Sequence, residues 1–350
     1  VLPLLAAVVV GCGGDSGGAA KIALLLPDNL IPHYESIDRP VFEKKVEELC
    51  GGCEVLYENA EGDSAKQLKQ ADAVFRQGAE TLVLDPVDVN FDAPIAAKAK
   101  AKGVPVLDYD QLIPASEPDA LVSFDDVEVG ELQAEALTRK LKEEGSARGP
   151  IVMLVGEPGD RYQHLFVEGA RRVFDAGGVE IARKYDTSFY EVEEARDNMR
   201  QAIAALGKNG FAGVYAENDR LAEGAIAAMR SAGIDPAERP TTGREATPAG
   251  VRRILAGQQY MTVYTSAGLE ATTSAEIAVS LAHGDGVPQS KITDEIDNGD
   301  TSVPAAMLEA VTVTKGNVKS TVVADGFLAP SKLCAGPYES ACKAVGISGG

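Results

Sequence analysis

Short apolar runs of strand length alternate with stretches of helical period along most of this chain, and that alternation narrows its possible folds more than any single motif. The runs include Ile22-Ala23-Leu24-Leu25-Leu26, Glu80-Thr81-Leu82-Val83-Leu84, Pro150-Ile151-Val152-Met153-Leu154-Val155 and Met261-Thr262-Val263-Tyr264. Helical patterns follow or separate them near 41–49, 64–77, 93–102, 127–144, 191–206, 220–232 and 248–256. Strands apolar throughout, rather than at every second residue, are buried on both faces, as in a parallel sheet covered by helices. In Val104-Pro105-Val106-Leu107-Asp108-Tyr109-Asp110 the apolar run ends in acids, and Leu121-Val122-Ser123-Phe124-Asp125-Asp126 soon follows. A strand whose carboxyl end turns acidic opens into a crevice, the usual ligand position in open α/β sheets. We read this stretch as the seam between two similar lobes, with Asp110 facing the gap.

A chain of 350 residues exceeds one ordinary core and suits two lobes of roughly 150 residues each. It has no tryptophan and only 5% aromatic residues, so its core must be aliphatic. Its 53 acids against 33 bases give a formal charge of −20, which argues against nucleic acid or an anionic membrane surface as partner.

The opening residues, apolar up to Val9-Val10-Gly11-Cys12 and then Gly13-Gly14-Asp15-Ser16-Gly17-Gly18, resemble the end of a lipoprotein signal peptide, with Cys12 as the lipidated residue and a flexible tether behind it. Of the other four cysteines, sequence proximity favours the pairs Cys50-Cys53 and Cys334-Cys342 among three pairings. Two disulfides would place the protein in an oxidising compartment. Cys50-Gly51-Gly52-Cys53 follows a helical pattern, whereas a redox-active pair of this spacing would open one.

Strand ends present further polar groups: His33-Tyr34 in the loop after the first run, Arg161-Tyr162 in the corresponding loop of the second half, Asn218-Asp219, Arg244-Glu245 and Thr265. Carboxylates and amides of this kind suit the hydroxyls of a sugar, and a ring such as Tyr190 suits its apolar face. Competing motifs fall away on context. Gly14-Asp15-Ser16-Gly17-Gly18 fits a nucleophile elbow in letters but follows no strand. His33, His164 and His283 are scattered without zinc spacing. The phosphate-binding pattern G-x-x-x-x-G-K-[ST] is missing, so nucleotide hydrolysis would belong to another subunit.

Several strings together resemble the type I periplasmic sugar-binding proteins of ABC transporters, nearest the xylose-binding group. They are Asp38-Arg39-Pro40-Val41-Phe42-Glu43, Val122-Ser123-Phe124-Asp125-Asp126 through Val129-Gly130-Glu131-Leu132-Gln133-Ala134, Glu217-Asn218-Asp219 with Gly224-Ala225-Ile226, Ala256-Gly257-Gln258-Gln259-Tyr260, and Asp297-Asn298-Gly299 with Val303-Pro304. The similarity spans residues 21–330. It implies two doubly wound α/β lobes joined by a three-strand hinge, closing on a sugar without changing it. It also implies that Asp110, Asn218, Asp219 and Glu245 hydrogen-bond hydroxyls and that Tyr190 stacks. Where the group's pattern has an arginine before Tyr34, Asp-Arg and Val-Tyr-Lys, this chain has His33, Asp110-Gln111 and Val263-Tyr264-Thr265. The group's Gly-Gln-Asp reads Gly243-Arg244-Glu245, and its paired asparagines are replaced around Arg161. These departures leave open which pentose, hexose, polyol or sugar acid is bound.

The expectation is a monomeric, extracytoplasmic, lipid-anchored solute-binding protein, not an enzyme, without cofactor or metal, that delivers a small sugar or polyol to an ABC permease. It touches the membrane only through its anchor. The expected divisions are 1–20 as signal remnant and tether, 21–124 with 266–297 as the first lobe, 125–265 with 298–330 as the second, and 331–350 as a disulfide-bearing tail. The alternative is a ligand-presenting sensor for a chemoreceptor or histidine kinase. A repressor of this fold would need a DNA-binding helix-turn-helix, which residues 1–20 cannot form.

Overall fold

The computed structural model describes residues 19–29, 33–157, 163–299 and 301–348. Cys12, the tether and Arg161 lie outside the described residues.

The first half runs β1 (Lys21–Leu26), α1 (Arg39–Leu49), β2 (Glu54–Asn59), α2 (Ser64–Arg76), β3 (Thr81–Leu84), α3 (Ala93–Ala101), β4 (Val106–Tyr109) and β5 (Ala120–Phe124). Side chains of β1 alternate between two cores, as strand geometry requires. Ile22, Leu24 and Leu26 pack against α1 and the helix Ala267–Ala282, while Ala23 and Leu25 pack against α2 and α3.

After β5 come α4 (Asp126–Glu143), β6 (Ile151–Val155), α5 (Gln163–Gly177), β7 (Ile181–Asp186), α6 (Val192–Leu206), β8 (Gly213–Ala216), α7 (Asp219–Ser231), α8 (Pro248–Leu255) and β9 (Met261–Tyr264). The chain then returns through α9 (Ala267–Ala282), β10 (Asp294–Asp297) and β11 (Ser302–Leu308), and ends in β12 (Val311–Thr314), α10 (Pro330–Leu333) and α11 (Glu339–Ala344). Val152 and Leu154 of β6 face α6 and α7, and Met153 and Val155 face α4 and α5.

The large sheet has the order β10-β11-β5-β4-β3-β1-β2, parallel except for the β10–β11 pair. The second has β7-β6-β8, all parallel. Single bridges from Val214 to Thr241 and from Arg244 to Val263 lead on to the antiparallel β9–β12 pair. In both sheets the first strand lies between the second and third, so each half reverses direction beside its first strand. A crevice opens at the carboxyl ends there. The chain passes between the two sheets three times, after β5, after β9 and between β11 and β12.

One expected division is corrected. Residues 298–330 do not belong wholly to the second half, because β11 pairs with β5 in the first sheet. Pro304 obscured that strand in the sequence, since proline cannot donate to a ladder. Both expected cysteine pairs are bonded, Cys50 to Cys53 and Cys334 to Cys342, and Cys50 closes α1 at its carboxyl end.

Candidate functional site

A cavity of about 1070 Å³ lies between the carboxyl edges of the two sheets. His33, Tyr34, Asp110 and Glu270 line it from the first half, and Tyr190, Asn218, Arg244 and Glu245 from the second. Thr265, on the crossing between β9 and α9, also lines it. Eight of the sequence-derived candidates therefore meet around one space.

The first-half wall is acidic. His33 Nδ1 donates to Asp38 Oδ2 at 2.7 Å, and the buried Tyr109 hydroxyl donates to the other oxygen of that carboxylate. Burial works to lower the His33 pKa, but the hydrogen bond and charge of Asp38, with Asp110 and Asp28 beyond, outweigh it and raise the value. Tyr34 is held neutral, first by burial and then by the charges of Asp85 and Asp110. Asp110 has a left-handed backbone with φ of 61°, a conformation non-glycine residues rarely adopt. Its N–H donates to Val122 and its carbonyl accepts from Ser123 Oγ at 2.6 Å. Burial raises the Asp110 pKa, against the lowering influence of His33 on its own side and Arg244 from across the cavity. Glu270 is 5% exposed and its Oε1 has no hydrogen-bond partner. Burial, then the charges of Asp110, Asp38 and Asp85, pushes its carboxyl well upward and so favours the neutral form.

The second-half wall is built on helix starts and a strained loop. Asn218 caps α7 by accepting from Leu221 N–H at 3.0 Å, and its amide donates to Glu245 Oε1 at 3.1 Å. Arg244 lies 3.5 Å from the same oxygen, with its guanidinium 4.5 Å from the centre of the Phe166 ring. Burial works to lower its pKa, but Glu245, Glu217 and Asp126 reverse that, so the cation is retained. Glu245 and Ala246 have positive φ, 88° and 48°, as do Phe189 and Tyr190 at 50° and 54°. Such backbone strain collects at ligand clamps. Phe189 is 78% exposed on the cavity wall.

Gly156, at the end of β6, lets the Tyr190 ring come close: a Cβ there would lie 2.0 Å from a ring carbon. Gly156→Ala is therefore expected to displace Tyr190 and weaken binding about tenfold or more, read by titration calorimetry, with secondary structure by circular dichroism unchanged. Binding within twofold of wild type would separate Tyr190 from the ligand.

Asp219, Gln111 and Arg161 fare differently from the other candidates. Asp219 is 1% exposed and lies behind the wall. Its carboxylate accepts from Thr247 N at 2.8 Å, Thr247 Oγ1 at 2.9 Å and Gln259 Nε2 at 2.7 Å. Gly243 and Gly250 leave room for it, since a Cβ on either would fall within about 2.2 Å of its oxygens. Asp219 thus braces the loop that carries Arg244 and Glu245. Asp219→Ala would strand those donors, at about 1–3 kcal/mol for a buried group. It should lower Tm by several degrees, and an unchanged Tm would refute the brace. Gln111 also lies outside the cavity lining, with its amide donating to Asp85 Oδ1 at 3.3 Å. Arg161 lies outside the described residues.

Sequence reasoning missed Glu270, because a glutamate in the first turn of α9 reads as an ordinary partner of the helix dipole. It missed Phe189 beside Tyr190 because neighbouring rings in a loop give no sign of which faces a cavity. Among the described residues, the grouping with metal-ligand geometry is Cys50, Cys53 and His283. Its two sulfurs are bonded to each other and offer no thiolate.

The periplasmic binding protein domain family matches residues 22–286. The D-xylose-binding periplasmic protein of Escherichia coli K12 is 33% identical over 317 residues, covering 89% of this chain and 92% of that protein. The protein of the same description from Haemophilus influenzae is 32% identical, covering 93% and 96%. Among solved structures, an ABC transporter solute-binding protein from Clostridium phytofermentans with bound beta-D-glucose superposes with a TM-score of 0.73 at 25% identity, covering 89% of this chain and 99% of that one.

Proposed function

This chain belongs to the periplasmic binding protein family, and from that premise we propose that it is an extracytoplasmic solute-binding protein that holds a small sugar or polyol between its two halves and hands it to an ABC permease. The observation that carries the reading is the cavity wall itself: Asp110 and Glu270 on one side face Asn218, Arg244 and Glu245 on the other. Bound hydroxyls would supply hydrogen-bond partners to groups that burial has already desolvated. Each such hydrogen bond to a charged group contributes about 1.5–3 kcal/mol.

Function follows from differential affinity. A ligand that meets both walls only when the halves close stabilises the closed form by the contacts it lacks in the open one. The permease then distinguishes loaded from empty protein by shape. Asp110, Asn218, Arg244 and Glu245 are the proposed hydroxyl contacts, with Tyr190 across an apolar ring face and His33 and Thr265 at the edges. Xylose and glucose are named for the relatives, but His33, Gln111 and Thr265 stand at positions where the xylose-like pattern carries cations. The proposed ligand class is therefore a neutral sugar or polyol rather than xylose in particular. Lipid attachment at Cys12 and a monomeric state complete the proposal.

Isothermal titration against D-xylose, D-glucose, D-ribose, xylitol, myo-inositol and D-gluconate tests it. At least one should bind with micromolar affinity or better. Failure of every member at millimolar concentration would overturn the reading.

A further inference from the structure

The segment after β12 lies beyond the family match, which ends at residue 286, yet it reaches the cavity. Phe327, Leu328 and Leu333 belong to the cavity lining. The Phe327 ring is 4.8 Å from the Tyr264 ring, tilted at 45°. That places it beside Thr265, on the crossing where the two halves meet.

Three independent fastenings hold the segment there. Asp325 accepts hydrogen bonds from the Tyr264 hydroxyl and from Ser266 Oγ, the latter at 2.7 Å, so it grips both neighbours of Thr265. Arg252 of α8 donates to the backbone carbonyls of Lys332 and Leu333, the second at 3.2 Å. The Cys334–Cys342 disulfide closes a small loop whose sulfurs are buried with Leu328, Leu333 and Ile347 against Val251, Ile254 and Leu255 of α8 and Val313 of β12. The same helix follows directly on the Arg244–Glu245 loop. The tail and that loop thus share one core.

We propose that the C-terminal segment is a third wall of the ligand site, with Phe327 contacting the bound sugar or polyol and the Cys334–Cys342 loop fixing that ring in place. This rests on the function proposed above. A tail that only filled out the second-half core would bury Leu328 and Leu333 equally well. It would not need to present an aromatic ring at the crossing, where a ring covers the apolar face of a pyranose or polyol. The segment adds an apolar surface at the crossing, apart from the Phe189 and Tyr190 rings on the second-half wall, so a ligand could be covered from a second direction.

The test is titration of wild type, Phe327→Ala, Phe327→Leu and the C334S/C342S double variant with D-glucose, D-xylose, xylitol and myo-inositol, with Tm followed by calorimetry. Phe327 is only partly buried, so both single variants should fold, with Tm within a few degrees of wild type. Phe327→Ala is expected to weaken the best-bound probe about tenfold or more and to change the ratio of affinities across the four. Phe327→Leu should restore part of the affinity. The double variant should weaken binding by about threefold or more while Cys50–Cys53 stays intact. A wild type that binds none of the four, nor the other two sugars above, brings down the functional reading. A wild type that binds, with Phe327→Ala and the double variant both within twofold and the affinity ratios unchanged, overturns this proposal alone.

Discussion

Asp110→Asn is expected to weaken binding of the best-bound sugar or polyol by about 10- to 100-fold, the loss that follows from replacing a hydrogen bond to a charged group by a weaker one. Asparagine is the informative replacement because it tolerates the left-handed backbone found at Asp110. Stability should move the other way. Burial disfavours the Asp110 charge, and Asp38 on α1's approach adds to that. Removing the charge therefore relieves the unliganded protein, and Tm should hold or rise at pH 8 while affinity falls. That opposition distinguishes a ligand contact from a brace such as Asp219, whose loss lowers Tm. Titration calorimetry and a thermal scan on the same sample check both halves. Affinity within twofold of wild type would remove Asp110 from the site.

Stability should fall steadily from pH 5 to pH 8.5, and Asp108→Asn should flatten the slope. Asp108 is fully buried in β4, where burial pushes its carboxyl up to about 8 against the hydrogen bond from Ile113 N–H. Burial likewise raises Asp219 to about 6, and it raises Asp85 and Glu270 as well. The unfolded chain releases these protons near pH 4. Between that pH and the folded values the native state binds more protons than the unfolded one, so the unfolding free energy declines as pH rises. His33, also raised, contributes stability that is lost in the same direction. The carboxyls lowered by ion pairs or backbone donors, Asp72, Asp88, Glu276 and Glu339, titrate below this window and do not oppose the trend. At about 1.4 kcal/mol per pKa unit, Asp108 alone is worth on the order of a few kcal/mol at pH 8. Calorimetric Tm values at pH 5, 6.5 and 8.5 should fall in that order. A flat or rising series would contradict the buried-acid account.

How far the sequence carried the fold depended on burial. The run from Ile22 to Leu26 is apolar because both its faces are covered, and the helices at 41–49 and 64–77 fall close to α1 and α2. A parallel sheet also brings its strand ends to one edge, which is why residues as distant in sequence as His33, Asp110, Asn218 and Glu245 line one cavity. What the sequence left hidden was which of two adjacent residues turns toward that cavity. Asn218 faces it and Asp219 backs it, while Asp110 faces it and Gln111 reaches Asp85 behind. Side chains one residue apart diverge, and only packing against Gly243, Gly250 and Gln259 decides which goes inward. Strand β11 was hidden by Pro304, and the tail's reach to the cavity had no periodic signal at all.

The most direct measurement is a crystal structure of the protein saturated with the best-bound member of the titration panel. The predicted result is one sugar-sized density in hydrogen-bond contact with Asp110 at the first sheet's edge and with Asn218 or Glu245 at the second's. Density seated against one half alone, or outside the cavity between the sheets, would contradict it.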